Sequence, residues 1–381
     1  MRGYARLEAY LDNSATTKPC AGAKKRINEA LDSLWGNPSS LHDVGLSAEI
    51  LLEDARNAVS KLLSCKESEL YFTSGGTESN NIAVFGAAHA MKKRGRRLVV
   101  SSVEHPSVSR VFDELENEGF EVVRLPVDRF GVVPFEELEN AVDENTVLVS
   151  MMAVNNELGS IEPIEMLSKV VKEKHSPALI HVDAVQAFGK LPLNVKKLGI
   201  DLMSVSAHKI HGVKGAGALF VKDGVHLAPH VFGGGQEKNI RPGTEPLPAI
   251  AAFFGAAEEV DVKNSLPRVT ALRDGFVASL SKIDGVVINS AKDALPYIVN
   301  ISLPGRPSEA VLNFLSSRKI YVSSGSACAK GHRSPTLTAA GLETELINSS
   351  LRISLSRFTT KEELDFCLEG LEGAIKAIRK K

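Results

Sequence analysis

Leu179-Ile180-His181-Val182-Asp183-Ala184-Val185-Gln186 is a short apolar run that closes on an aspartate. Its length and branched side chains read as a strand buried in a sheet. A carboxylate at the end of such a strand is costly unless a cationic group is paired with it. The ordinary alternative is a helix N-cap. Similar runs lie on both sides. Arg97–Ser102, Glu121–Leu125, Thr146–Met151, Ala178–Val182, Asp201–Ser206 and Gly217–Val221 read as strands. Between them, Thr77–Lys93, Pro106–Glu118, Phe135–Val142 and Pro163–Lys174 repeat apolar residues at helical steps, as in Leu167, Val170 and Val171. Strands joined by helical crossovers predict an α/β chain, with a mostly parallel central sheet and helices on both faces. From about Leu247 the texture changes. Helical patterns at Leu247–Val262, Arg268–Ile283 and Lys361–Ile378 enclose short strands at Val286–Asn289, Tyr297–Leu303, Ile320–Ser323 and Leu351–Leu355. This α+β pattern predicts a second, smaller domain.

The composition narrows the classes. Of 381 residues, 43% are hydrophobic and 24% charged, so the chain can fill a large core and is not a disordered one. Lys and Arg number 45 against 46 Asp and Glu, and a nucleic-acid binder would show a basic excess. No run of about 18 apolar residues predicts a membrane span. Met1-Arg2-Gly3-Tyr4 leads into charged residues without an apolar signal core, so a cytoplasmic location is expected. Cys20, Cys65, Cys328 and Cys367 share no metal-type spacing and are too few for a disulfide scaffold. No metal site is expected.

Ligands of open α/β sheets bind outside the carboxyl ends of the strands. Phe72-Thr73-Ser74-Gly75-Gly76-Thr77-Glu78-Ser79 enters a helix at such an end. Its glycines and free helix-start amides suit a phosphate, although alone the segment is an ordinary helix entry. It lacks the nucleotide-loop pattern, which disfavours ATP or GTP. The strand ending Ser204-Val205-Ser206-Ala207-His208-Lys209 crowds hydroxyls, an imidazole and an amine together. A phosphate cradle, Asp183 and Lys209 at neighbouring strand ends are the parts that pyridoxal 5′-phosphate requires. The lysine forms a Schiff base, the aspartate keeps the pyridinium nitrogen protonated, and the cradle holds the phosphate. His105, in Val103-Glu104-His105-Pro106, can stack on the ring.

These segments resemble the cysteine desulfurases of the NifS/IscS type. The likeness includes Leu11–Thr17, Gly36–His42, Phe72–Asn81, Val154–Gly159, His181–Gln186 and Ser206–Lys209. It continues through Gly233–Glu237, Arg241–Glu245, Ser323–Cys328 and Arg352–Leu355, in order and nearly end to end. The resemblance implies the aspartate-aminotransferase-like fold of pyridoxal-phosphate-dependent transferases. It implies a large cofactor-binding domain at 13–258 and a small α+β domain formed by 1–12 and 259–381, with a cysteine loop at about 323–335. It further implies Lys209 as the Schiff-base lysine, Asp183 as the pyridinium partner, and His105 as stacking residue and proton carrier. Gln186 would bond the phenolic oxygen, with Asn156 nearby. Gly76, Thr77, Ser206 and His208 would bind the phosphate, joined by Thr244 from the other subunit of a homodimer. Asn37 and Arg352 would hold the substrate carboxylate. Three positions depart from the family's pattern, Val213, Pro246 and Ser356, and none removes a chemical group.

Cys328 lies in the small-residue run Ser323-Ser324-Gly325-Ser326-Ala327-Cys328-Ala329-Lys330-Gly331-His332, which offers it nothing to pack against. By resemblance it attacks the sulfur of bound L-cysteine and leaves as a persulfide, while the cofactor releases L-alanine. A sulfur-acceptor protein, a cluster scaffold or a thiolation enzyme, would then take the sulfur. Lys330, His332 and Arg333 are cations that could favour its thiolate, and equally well read as a solvated charge cluster. The other three cysteines are expected to be inert. A selenocysteine lyase or an aminotransferase of the same fold shares most of this constellation, but an aminotransferase needs no sulfur nucleophile. A catalytically silent scaffold is the reading from another class, and the joint presence of Lys209, Asp183, His105 and Cys328 opposes it.

Overall fold

The computed structural model describes residues 8–324 and 333–380. A seven-stranded sheet forms its centre. Across it the order is Leu70–Thr73, Gly217–Val221, Leu202–Ser206, Leu179–Asp183, Thr146–Met152, Arg97–Ser101 and Glu121–Leu125. Gly217–Val221 runs antiparallel to both its neighbours, and the other four pairings are parallel. The expected mostly parallel sheet is therefore present, and most strands fall within a residue of their expected limits. Alternation along each strand separates two cores. Leu98 and Val100 join a core with Val108, Val111 and Phe112 of the helix Pro106–Asn117, whereas Val99 joins the core on the opposite face.

Chain order reverses between Arg97–Ser101 and Thr146–Met152, because Glu121–Leu125 lies outside the first and every later parallel strand lies beyond the second. The crevice outside the carboxyl ends at that reversal is the ligand position of a doubly wound sheet. His105 follows one of these strands and Asn156 the other.

A three-stranded antiparallel sheet pairs Ser350–Ser354 with Ile298–Ser302, and the latter with Val287–Ile288. Some limits in this part differ from expectation. The helix beginning at Leu247 ends at Glu258, and the next starts at Val262 rather than Arg268. Asp261 caps this second helix by accepting from the Asn264 amide at 3.2 Å, so the helix begins before Pro267 and carries it inside. Only Ile320–Tyr321 of the expected strand at 320–323 is regular, with Ser323 adding a single bridge to Arg352.

The helices Ala21–Asp32 and Leu247–Glu258 meet through glycines. A Cβ built on Gly22 would lie 2.5 Å from the Gly255 carbonyl oxygen, so only glycine permits this approach. After Ala9–Tyr10, the N-terminal segment runs beside Ser350–Ser354. Asn13 Nδ2 donates to the Ser354 carbonyl at 2.9 Å, and the Ser354 amide donates to that of Leu11 at 2.7 Å. This path carries Asp12 and Ser14 to the strand ends. Among the described residues no helix is long and apolar enough to cross a membrane.

Candidate active site

Register places the loop Thr73–Thr77 against the end of Leu202–Ser206. Thr73 and Ser206 are both opposite Gly217, one on each side. A side chain at Gly217 would come within 2.6 Å of Gly75 Cα. Gly75 has φ 153° and ψ −177°, a conformation left to glycine. Gly76 then opens the helix Gly76–Met91, and a Cβ there would stand 2.7 Å from Val185 Cγ2. The first amides of a helix have no partner within it and carry its positive end. Ser206 Oγ points nearby, buried and without a hydrogen-bond partner. Together these make a cradle for an anion. Glu78 takes the Ser74 amide, and its other oxygen accepts from Arg241 Nε at 3.3 Å, which offsets the carboxylate's charge.

Asp183 ends its strand with both oxygens engaged. Oδ1 accepts from the Val185 amide at 2.9 Å, and Oδ2 accepts from Asn80 Nδ2 at 2.8 Å. The N-cap alternative is thus realised only as a turn contact. Asn80 lies one turn beyond Gly76, so the same helix presents its amides to the cradle and Asn80 to the aspartate.

Lys209 follows Ser206 by three residues and donates to the carbonyls of Ser14 and, at 2.8 Å, Ala15. Gln186 Nε2 donates to the same Ser14 carbonyl at 3.0 Å. His105 caps the helix Pro106–Asn117, its Nδ1 accepting from the Ser107 amide at 3.1 Å. Burial pushes its imidazole below the usual histidine range, against the opposing charge of Asp183 and with that of Lys209. The charges of Asp183 and Lys209 both act on His105. His208 shares a hydrogen bond with Thr16 Oγ1 at 3.2 Å, and burial, with Lys209 next, pushes it down to about 4.

Arg352 occupies the middle of Ser350–Ser354. Its guanidinium pairs with Asp12 Oδ1 at 3.0 Å and donates to the Asn156 carbonyl at 2.9 Å, while Nε is buried without a partner. Glu104, beside His105, accepts from the Met152 amide at 2.5 Å. Burial first, and then Asp183, push it well above the usual carboxylate range.

The structure thus brings together Lys209, Asp183, His105, Gly76, Ser206 and Gln186. Thr77, Asn37 and Thr244 are exposed. Asn37 Oδ1 accepts from the Ser39 amide at 2.9 Å. Cys328 lies outside the described residues. Cys20 is buried and caps the helix Ala21–Asp32, and burial pushes the thiols of Cys65 and Cys367 up to about 12, which removes their reactivity. Sequence reasoning missed Asn80, the carbonyls of Ser14 and Ala15, and Asp12. Only Asn80 carried a signal, its one-turn spacing from Gly76. Pyridoxal 5′-phosphate fits these residues: the orphaned Ser206 hydroxyl and side-chain-free Gly76 match a phosphate, and Asp183 and Lys209 match the ring nitrogen and aldehyde.

The family model described as aminotransferase class-V matches residues 9–366. The cysteine desulfurase IscS of Dictyoglomus turgidum is 40% identical over 378 residues, 98% of this chain and 95% of its own length. Among solved structures, a NifS-like protein has a TM-score of 0.92 at 36% identity, covering 97% of this chain and 100% of that one. SspA in complex with cysteine has a TM-score of 0.82 at 32% identity, covering 92% and 100%. Site and likeness converge: the chain belongs to the class-V aminotransferase family and, within it, to the pyridoxal 5′-phosphate-dependent cysteine desulfurases of the NifS/IscS type.

Proposed function

We propose that this cysteine desulfurase converts L-cysteine to L-alanine and takes the sulfur onto Cys328 as a persulfide, for delivery to an acceptor protein. The observation that carries the reading is the convergence of Asp183, Lys209 and the Ser206–Gly76 cradle outside neighbouring strand ends. Bound pyridoxal 5′-phosphate supplies an electron sink next to the substrate α-carbon. Lys209 Nζ is the attachment point for the cofactor and moves the α-proton. Asp183 holds a proton on the ring nitrogen. The cradle, with Thr77 and His208, would hold the phosphate, and Gln186 would donate to the phenolic oxygen, with Asn156 nearby. His105 would stack on the bound cofactor and would carry a proton. Arg352 and Asn37 hold the substrate carboxylate, Arg352 through a charge-assisted pair. Cys328 Sγ attacks the substrate sulfur, an S–S bond forms as the C–S bond breaks, and the carbon takes up a proton to leave as alanine.

We read the chain as a homodimer. Trp35, Leu41, Leu46 and Ile50, together with Val231 and Phe232, are exposed apolar residues. Thr244 is itself exposed, suited to completing a partner's phosphate site. The separate sheets support a division into 13–258 and a smaller part made of 1–12 and 259–381. Iron–sulfur cluster assembly or thiolation in the cytoplasm is the use we assign to the sulfur. The test is stoichiometry: with a reductant present, L-cysteine should yield alanine and sulfide in equal amounts, and alanine without sulfide would contradict the reading.

A further inference from the structure

Both ends of the Gln186 amide are engaged. Nε2 donates to Ser14 O at 3.0 Å, and Oε1 accepts from Lys190 Nζ at 3.1 Å. Lys209 donates to the same Ser14 carbonyl. A chain of hydrogen bonds therefore joins Lys190 to Lys209 through Gln186 and Ser14. Gln186 and Lys190 are each only 5% exposed. Among the described residues, Lys190 faces no carboxylate at ion-pair distance. Its surroundings are the Tyr297 ring, with centroid 5.8 Å away, and the positive charges of Lys209 and Arg352. Its own charge is felt at His208 and His211. Burying an amine among cations is costly, and burial first, then Lys209 and Arg352, push Lys190 down to about 7. Nothing in the proposed reaction uses it.

What the cost secures is the orientation of Gln186. The Ser14 carbonyl only accepts, and Lys190 donates, so the amide has one consistent setting: oxygen toward Lys190, NH₂ toward Ser14 and the site. One N–H is given to Ser14 and the second remains. Toward a ligand, Gln186 can then only donate. We propose that Lys190 is a positioning residue: by occupying Gln186 Oε1 it makes Gln186 a donor-only group, which selects an ionised phenolic oxygen on pyridoxal 5′-phosphate. The inference rests on the reading of Gln186 as that oxygen's partner.

A double-mutant cycle tests it. Apoprotein of the wild type, Lys190→Met, Gln186→Ala and the double variant is titrated with pyridoxal 5′-phosphate, and the dissociation constant is measured. The pH midpoint of the bound cofactor's visible band is followed in parallel. Gln186→Ala and Lys190→Met should each weaken binding about tenfold, with the double variant no weaker than Gln186→Ala alone. Lys190→Met should also move the visible-band midpoint to higher pH, a shift that lost packing alone does not produce. Equal weakening by Lys190→Met with and without Gln186 would overturn the proposal while leaving the reading of Gln186 intact. Wild-type affinity in Gln186→Ala would sink that reading, and the proposal with it. Should Lys190→Met yield no folded apoprotein, Gln186→Glu decides, since it keeps the bond to Lys190 but removes the outward N–H. It should bind as weakly as Gln186→Ala, and wild-type binding would overturn the proposal.

Discussion

Asn80 Nδ2 donates to Asp183 Oδ2 at 2.8 Å, across 103 positions of sequence. This bond ties the helix that forms the anion cradle to the strand end that bears the carboxylate. In the proposed reading, one junction of helix and strand would address both the cofactor phosphate and its ring nitrogen. Asp183→Asn keeps an oxygen for the Val185 amide and keeps the volume, so the fold should persist. Turnover should fall by far more than loss of one ordinary hydrogen bond, about 1 kcal/mol, would cause. Thermal melting checks the first expectation and steady-state alanine production the second. Wild-type turnover would remove Asp183 from the mechanism.

Lys209 has its amine held by the Ser14 and Ala15 carbonyls, beside the cradle. Borohydride reduction of the cofactor-loaded wild type should leave the cofactor's mass on the peptide containing Lys209. Lys209→Ala should carry no such label and show no turnover. A label surviving elsewhere in the variant would reassign the attachment point.

Arg352 is held by Asp12 and by the Asn156 carbonyl, and its side chain is 3% exposed. It is thus oriented before substrate arrives. Arg352→Lys loses the planar fork, and KM for L-cysteine should rise about tenfold or more, as expected for a charged hydrogen bond of roughly 1.5–3 kcal/mol. The spectrum of the resting holoprotein should not change. An altered resting spectrum with unchanged KM would place Arg352 at the cofactor instead.

The buried Lys190 gives a pH signature in the apoprotein. Its folded value of about 7 lies below the ordinary 10.5, so between these values the unfolded chain binds a proton that the folded chain lacks. Stability relative to Lys190→Met should therefore rise with pH from about 7 to 10.5, by at most about 1.4 kcal/mol per pH unit. Below about 7 the difference should level off, since both states then bind the proton. Chemical denaturation of both apoproteins at several pH values checks this, and a constant difference would show that Lys190 titrates normally.

The central sheet was legible because apolar runs of strand length end abruptly at polar residues, as in Leu179–Asp183 and Gly217–Val221. Leu70–Thr73 escaped notice: four residues carry too little alternation to stand apart from the glycine loop that follows. The helix Ala21–Asp32 has few large apolar residues, and its place is decided by the contact of Gly22 with Gly255, which only the folded chain creates. In the site, side chains rare at strand ends announced themselves, as Asp183 and Lys209 did. Backbone acceptors did not, since nothing in Ser14 or Ala15 marks their carbonyls as partners of a lysine 195 and 194 positions away. Lys190 looked like any lysine after a turn, and only its burial distinguishes it.

The central claim is sulfur transfer through Cys328. Asp183, Lys209, Gln186 and the cradle need no thiol, so Cys328→Ala should bind pyridoxal 5′-phosphate, stay yellow and change its spectrum with L-cysteine. It should release almost no alanine or sulfide. The most direct measurement is mass spectrometry of the Cys328 peptide after wild-type enzyme meets L-cysteine without reductant. One additional sulfur or more on that peptide is the expected result. An unmodified Cys328, together with normal turnover in Cys328→Ala, would contradict the account.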